Sequence, residues 1–356
     1  MNSREIVRRT IDFESPERLA FDYFAHGNRY TDIISSYADW EYQFDQKTWV
    51  EDGREFRTDA YGNIWARVIS DKATKGEIYR GLLSESWDGL DSFVMPSISQ
   101  AAKSDQVRQR FDAHPHMFKV GGLVDGAFTI INQLRGFTNL MEDLVLEPER
   151  VHQACEIIDS ELVRIVESYA ACGADGVHIM EDWGTQNGLL ISSSMWDEFF
   201  ADGYKKICDA AHKHDMRVIL HSCGMLSELI ERLISCGIDV LQFDQTANYA
   251  SGETGGIEQL ASKYSGRVTF FCPVDIQHTL VTGDRERIED EARRLVQLLA
   301  SGKGGFIAKS YGRGTKIYLD AIGCDPAWND FAFECFVRYG RELFGTEFDV
   351  PTLHRK

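Results

Sequence analysis

Several things that would set this chain apart from ordinary globular proteins are missing from it. Proline is scarce, 7 in 356 residues, and no Gly-X-Y or Ser/Pro-rich tract occurs, which excludes collagen-like, mucin-like and low-complexity architectures. No uninterrupted apolar run approaches the roughly 18 to 20 residues of a membrane helix. Met1 to Phe13 carries charges where a signal peptide needs an apolar stretch, so a soluble, cytoplasmic protein with no membrane association is expected. Positive charge is the scarcer sign. The 38 Lys and Arg against 56 Asp and Glu leave a formal net charge of -18, a field that repels phosphate backbones and argues against nucleic acid as a partner. The 8 cysteines are scattered without a disulfide framework, as in a reducing compartment; Cys155, Cys172, Cys208 and Cys335 fall in helical patterns and read as core. Nucleotide and hydrolase signatures are also lacking. Gly121-Gly122-Leu123-Val124-Asp125-Gly126 is glycine-rich without the Gly-x-Gly-x-x-Gly spacing, and neither a Walker lysine nor a Gly-x-Ser-x-Gly elbow occurs.

What is present is an alternation of short apolar runs with amphipathic stretches. Apolar runs at 18–24, 117–122, 175–181, 217–222, 239–244, 267–272 and 304–309 predict seven strands. Between them, 148–172, 194–214, 225–236 and 284–301 space apolar residues three and four apart, as helices do. Small-residue exits such as Cys172-Gly173 and Cys236-Gly237 suit helix C-termini. This is the pattern of a parallel sheet with crossover helices, and the expected fold is α/β, a single (β/α)8 TIM-type barrel over 1–356. An irregular, hairpin-rich excursion is expected at about 38–95, with 54–58 paired to 63–69 around Asp52-Gly53 and Tyr61-Gly62-Asn63. The eighth strand is expected within that N-terminal region.

In such a barrel, chemistry collects where strands end. His221 and Cys223 follow the strand Arg217–Leu220, and two-residue alternation puts them on one face. Cys272 ends a later strand and Glu181 an earlier one, and His, Cys, Cys and a carboxylate make a plausible zinc site. The run Glu181-Asp182-Trp183-Gly184-Thr185-Gln186 offers paired carboxylates for acid–base work, Glu181 and Asp182, and groups for a substrate, Trp183 and Gln186; helix capping by Asp182 is the plainer reading. Asp244 and Tyr311, at two further strand ends, are candidate substrate contacts. His26 and Arg29, in Phe24-Ala-His-Gly-Asn-Arg-Tyr30, are candidates from the first strand.

Taken together, Ser3-Arg4-Glu5 to Pro16-Glu17-Arg18, Arg135-Gly136-Phe137, Glu181 to Gly188, Ile219 to Gly224, Pro273 to Gln277 and Gly304 to Ile307 resemble the uroporphyrinogen decarboxylase superfamily. That superfamily comprises the decarboxylase and the corrinoid-linked methyltransferases related to methylcobamide:coenzyme M methyltransferase. The likeness runs over nearly the whole chain. The decarboxylases grip substrate carboxylates with an arginine-rich segment after the first strand, where this chain has Arg29 alone. The methyltransferases bind zinc through the His-x-Cys pair and a later cysteine, whose position here looks like Tyr311-Gly312; Cys272 is the expected replacement. The resemblance therefore implies methyl transfer between a small substrate, a methyl ether, phenol or thiol, and cobalamin, with one zinc per chain. The corrinoid is expected on a separate protein, since no Asp-x-His-x-x-Gly signature occurs; a homodimer is left open as a further partner. The alternatives are a cofactor-free decarboxylase and a binding barrel without turnover.

Overall fold

The computed structural model describes residues 1–36, 47–69, 76–96, 101–123, 125–314 and 316–353. Eight parallel strands form the barrel: β1 (Ala20–Ala25), β2 (Ile33–Ser36), β3 (Phe118–Gly122), β4 (Gly176–Met180), β5 (Arg217–His221), β6 (Val240–Gln242), β7 (Thr269–Cys272) and β8 (Phe306–Lys309). Neighbours pair in the order β1-β8-β7-β6-β5-β4-β3-β2. All seven expected strands are there; the eighth, expected within the excursion, is instead β2, which precedes it. Between β1 and β2 no ladder is formed among the described residues. The seam is bridged at its lower end by Asp32, whose N–H donates to Phe21 O at 2.8 Å and whose carboxylate accepts from Phe21 N at 3.0 Å. Strands Asn28–Thr31 and Thr352–Leu353 extend the sheet antiparallel beyond β1.

Alternation along each strand sorts the side chains into two cores. Ala20, Ile33, Phe118, Val120, Ile219, Val240, Phe271 and Ile307 point inward, one or two from nearly every strand. Ile6, Val7 and Ile11 of helix α1 (Ser3–Ile11) join them and close the lower end. The other face packs on the helical shell. That shell includes α2 (Ala127–Arg135), α3 (Pro148–Ala171), α4 (Ala201–Lys213), α5 (Ile230–Cys236), α6 (Gly256–Tyr264), α7 (Arg285–Leu295) and α8 (Pro326–Phe344). The stretch expected to be one helix at 194–214 is two, Ser193–Phe199 and α4, and that at 225–236 is helical only in α5. Gly237 ends α5 at φ 106°, where a Cβ would come 2.9 Å from Cys208 Cβ, so both the left-handed backbone and the close approach need glycine.

The excursion folds as a separate four-stranded antiparallel sheet, Thr48–Glu51, Arg54–Thr58, Ile64–Val68 and Glu77–Arg80. The expected hairpin is present, from Arg54↔Val68 to Thr58↔Ile64. Asp59 organises its turn by accepting from Tyr61 N, Asn63 N and Trp65 Nε1 at 2.7–2.9 Å. The sheet docks on the barrel where Leu83 N donates to Leu134 O of α2 at 2.9 Å. No helix among the described residues is long and apolar enough to cross a membrane.

Candidate metal and substrate site at the barrel mouth

The inward alternation that puts Ile219, Val240 and Ile307 in the core carries two residues further to His221, Gln242 and Lys309. Polar side chains thus replace apolar ones at the top of the barrel. His221 Nδ1 lies 3.0 Å from Gln242 Oε1; since that oxygen accepts, the ring proton sits on Nδ1 and the Nε2 lone pair is free for a ligand. Nε2 faces Cys223 Sγ at 3.5 Å and Asp182 Oδ1 at 3.7 Å. The three ligand atoms lie within 4.8 Å of one another. Nitrogen, sulfur and oxygen donors converging beside an open mouth fit a catalytic zinc, which takes three protein ligands and leaves one position open.

Two glycines make this convergence possible. The loops after β4 and β5 run backbone to backbone: Gly184 N donates to Cys223 O at 3.2 Å and Met225 N to Thr185 O at 2.8 Å. A Cβ on Gly224 (φ 86°) would lie 2.3 Å from the Gly184 carbonyl carbon, and one on Gly184 2.7 Å from Met225 N. Close approach brings the Cys223 N–H to Asp182 Oδ1 at 2.8 Å and so holds the carboxylate beside the thiol.

Burial lowers the His221 pKa, against the pull of Asp244, and keeps the ring neutral. Burial, then the charges of Asp244 and Asp182, push the Cys223 thiol up to about 12. Beneath them His178 is driven down to about 3, first by burial and then by His221 and Lys309. Lys309 Nζ donates to Asp244 Oδ1 at 2.6 Å, an ion pair almost wholly withdrawn from solvent. Tyr311 follows β8; burial raises its phenol, with Asp244 and Cys223 adding to the effect.

The expected residues separate into two groups. His221, Cys223, Asp182, Asp244 and Tyr311 share the mouth, whereas Glu181 and Cys272 face the other way and stand outside the cluster. Glu181 lies one step past Ile179 and points into the shell, where its carboxylate accepts from Tyr204 Oη at 2.7 Å and Thr129 N at 2.8 Å. Cys272 pairs with Ala308 and shares the outward face with Phe270, fully buried in the apolar core. Neither is kept as a ligand below, for strand alternation turns both away. Trp183 is likewise fully buried, its Nε1–H donating to Tyr204 Oη at 2.8 Å, and Gln186 sits on the exposed loop. His26 is held outside by Asp330 and Glu334 of α8 at 3.4 and 3.6 Å. Arg29 is engaged by Asp22, Nε to Oδ1 at 2.9 Å. Gln242 and Lys309 were not anticipated; counting by twos from Val240 and Ile307 would have found both.

Residues 104–315, more than half of the chain, match the family model described as uroporphyrinogen decarboxylase (URO-D). A methylated-thiol–coenzyme M methyltransferase of Methanosarcina mazei is 26% identical over 140 residues, 39% of this chain and 36% of that protein. A chloroplastic uroporphyrinogen decarboxylase of Zea mays is 27% identical over 139 residues, 37% and 34% of the two chains. The matched stretches thus span about a third of these relatives' length. Among solved structures, a methyltransferase from Methanosarcina mazei shares the fold, with a TM-score of 0.55 and 15% identity over 80% of this chain and 76% of that one.

Proposed function

The chain belongs to the uroporphyrinogen decarboxylase family, and from that premise we propose that it is a zinc-dependent methyltransferase. It would move a methyl group between a small substrate, a methyl ether, phenol or thiol, and the cobalamin of a separate corrinoid protein. The carrying observation is the convergence of imidazole, thiol and carboxylate at the mouth. Methyltransferase and decarboxylase relatives lie at 26% and 27% identity, so identity favours neither, and the reading rests on the chemistry of the donor set.

Asp182, His221 and Cys223 would hold the ion, with Gln242 fixing the His221 tautomer from behind. When bound, zinc would lower the pKa of a coordinated thiol or hydroxyl, and so supply the anion that accepts a methyl group or stabilise the anion left when one departs. A thiol raised to about 12 is protonated at neutral pH, so binding must expel that proton and metal affinity should rise with pH. Asp244 and Tyr311 border the open side and would contact the substrate. The decarboxylase reading has less support. Arg29, the arginine of the anion-gripping segment, is already paired with Asp22 through two nitrogens.

The test is elemental analysis with a turnover assay. One zinc per chain, lost in His221→Ala, together with thiol-dependent demethylation of free methylcobalamin, is the expected result. A metal-free protein that converts uroporphyrinogen to coproporphyrinogen would overturn the proposal.

A further inference from the structure

The buried cations of this protein differ in how fully they are bonded. Arg18 donates to both oxygens of Asp32 and to Leu19 O at 2.5–2.9 Å. Arg135 donates to Asp143 and to Leu83 O, and lies over the Trp87 ring. Lys309 is 8% exposed, yet of its three N–H donors only one meets a partner among the described residues, Asp244 Oδ1. The second carboxylate oxygen of Asp244 likewise receives no hydrogen bond from them. Lys309 and Asp244 point inward from adjacent parts of the mouth. Gln242, two residues before Asp244 and on the same inward face, pairs with His221 and meets its Nδ1 at 3.0 Å, so the Lys309–Asp244 pair lies within a small molecule's length of the metal cluster.

We propose that Lys309 and Asp244 form a subsite for a neutral hydroxyl group on the molecule whose reacting atom sits at His221 and Cys223. The identification rests on the methyltransferase reading and adds the substrate class, a hydroxylated thiol or ether. The ammonium offers donors and the carboxylate an acceptor, and a hydroxyl is the smallest group that satisfies both. Charge selects against an acid. Lys309 is matched by Asp244 and Arg29 by Asp22, so among the described residues a carboxylate would meet no unmatched cation there and would face Asp182 and Asp244. An apolar group would cover unpaired donors and acceptors, which is costly. Sequence position is consistent with a recognition role, since Lys309, two residues past Ile307, belongs to the polar layer that His221 and Gln242 form above the apolar core.

The experiment compares three thiols of similar size, 2-mercaptoethanol, ethanethiol and mercaptoacetate, on the cobalt(II)-loaded chain, whose visible absorption reports sulfur binding at the metal. The hydroxyl compound should bind about tenfold more tightly than ethanethiol, the scale of one hydrogen bond to a charged group, and more tightly than the acid. Lys309→Met should erase the preference, read as the ratio of the 2-mercaptoethanol affinity to the ethanethiol affinity, so that any change common to both thiols through the charge felt by His221 and Cys223 cancels. Because that variant strands a buried carboxylate, the double variant Lys309→Met, Asp244→Asn serves as the second, with the same loss expected. A second arm needs no metal. In the lysine-labelled, metal-free chain the Lys309 Cε resonance, assigned by its disappearance in the variant, should shift with 2-mercaptoethanol and not with ethanethiol. Absence of a cobalt spectrum would defeat the metal reading and leave the resonance to decide the subsite. A normal spectrum with equal affinities, or tightest binding of mercaptoacetate, would overturn the hydroxyl subsite alone.

Discussion

At the lower end of the barrel Arg18 meets Asp32, which also accepts from Ser3 Oγ at 2.6 Å; Arg217 meets Asp12 at 2.7 and 2.9 Å, Arg4 meets Asp175 at 2.7 Å, and His212 meets Asp239 at 2.8 Å. At the upper end His221, Cys223, Asp182 and the Lys309–Asp244 pair keep bonding capacity in reserve. The same eight strands carry both ends. Charges below tie α1 and the strand starts together, and charges above face an opening. Groups with completed bonds contribute to stability, and groups without them are available to a ligand. The two ends should therefore respond oppositely to substitution.

The largest effect is expected below. Asp32→Ala leaves Arg18 buried and unpaired and should cost about 3–5 kcal/mol of unfolding free energy in urea, with zinc content unchanged in the folded fraction. Above, His221→Ala should lower zinc affinity by more than the roughly 10–100-fold typical of outer partners, with the melting temperature of the metal-free protein held within a few degrees. Equal damage to folding and metal binding from either substitution would erase the distinction. Gln242→Leu should fall inside that 10–100-fold range, measured by competition with a chelator, since it frees the His221 ring without removing a ligand. Cys272→Ser tests the face assignment. It should keep full metal and lose about 1 kcal/mol of stability, as a hydroxyl enters an apolar core.

The smallest effect concerns pH at the lower end. The hydrogen bond that His212 donates to the Asp239 carboxylate raises the His212 pKa against burial. A raised folded-state value means that the stabilisation is complete below the ordinary histidine range and is lost as pH rises through the raised value. Urea melts between pH 6 and 9 should show this decline in the parent and not in His212→Gln, by less than about 1 kcal/mol for a half-exposed pair.

Much of this division was legible in the sequence, and the failures have a common cause. Seven strands stood out because apolar runs ended in polar strand tips. The eighth, Ile33–Ser36, was hidden because four residues with two serines carry little periodicity. His221 and Cys223 were paired correctly by counting in twos along one strand. The same count was not applied to Glu181 and Cys272, which sit out of phase with Met180 and Phe271, and it would have brought forward Asp182, Gln242 and Lys309. Glu181 was attractive for its chemistry, but a carboxylate next to Gly126, where a Cβ would come 2.4 Å from Glu181 Oε2, has its place in the shell. The Gly184–Gly224 contact joins two loops forty residues apart, and no local pattern announces it.

The pairing of β1 with β8, Ala20 with Ile307 and Asp22 with Lys309, has a kinetic consequence. The first strand made on the ribosome can pair at once with Asn28–Thr31 on one edge, but its parallel partner on the other comes only after some 280 further residues, so that second edge stays open through most of synthesis. Loop closure over that length is slow and leaves apolar strand edges exposed in the meantime. α1 and the Arg18–Asp32 link lie on the side of the chain that waits. Refolding of the isolated protein should accordingly end in a late step that joins the N-terminal segment to β8, and deletion of β8 should leave a collapsed, aggregation-prone chain rather than a smaller barrel.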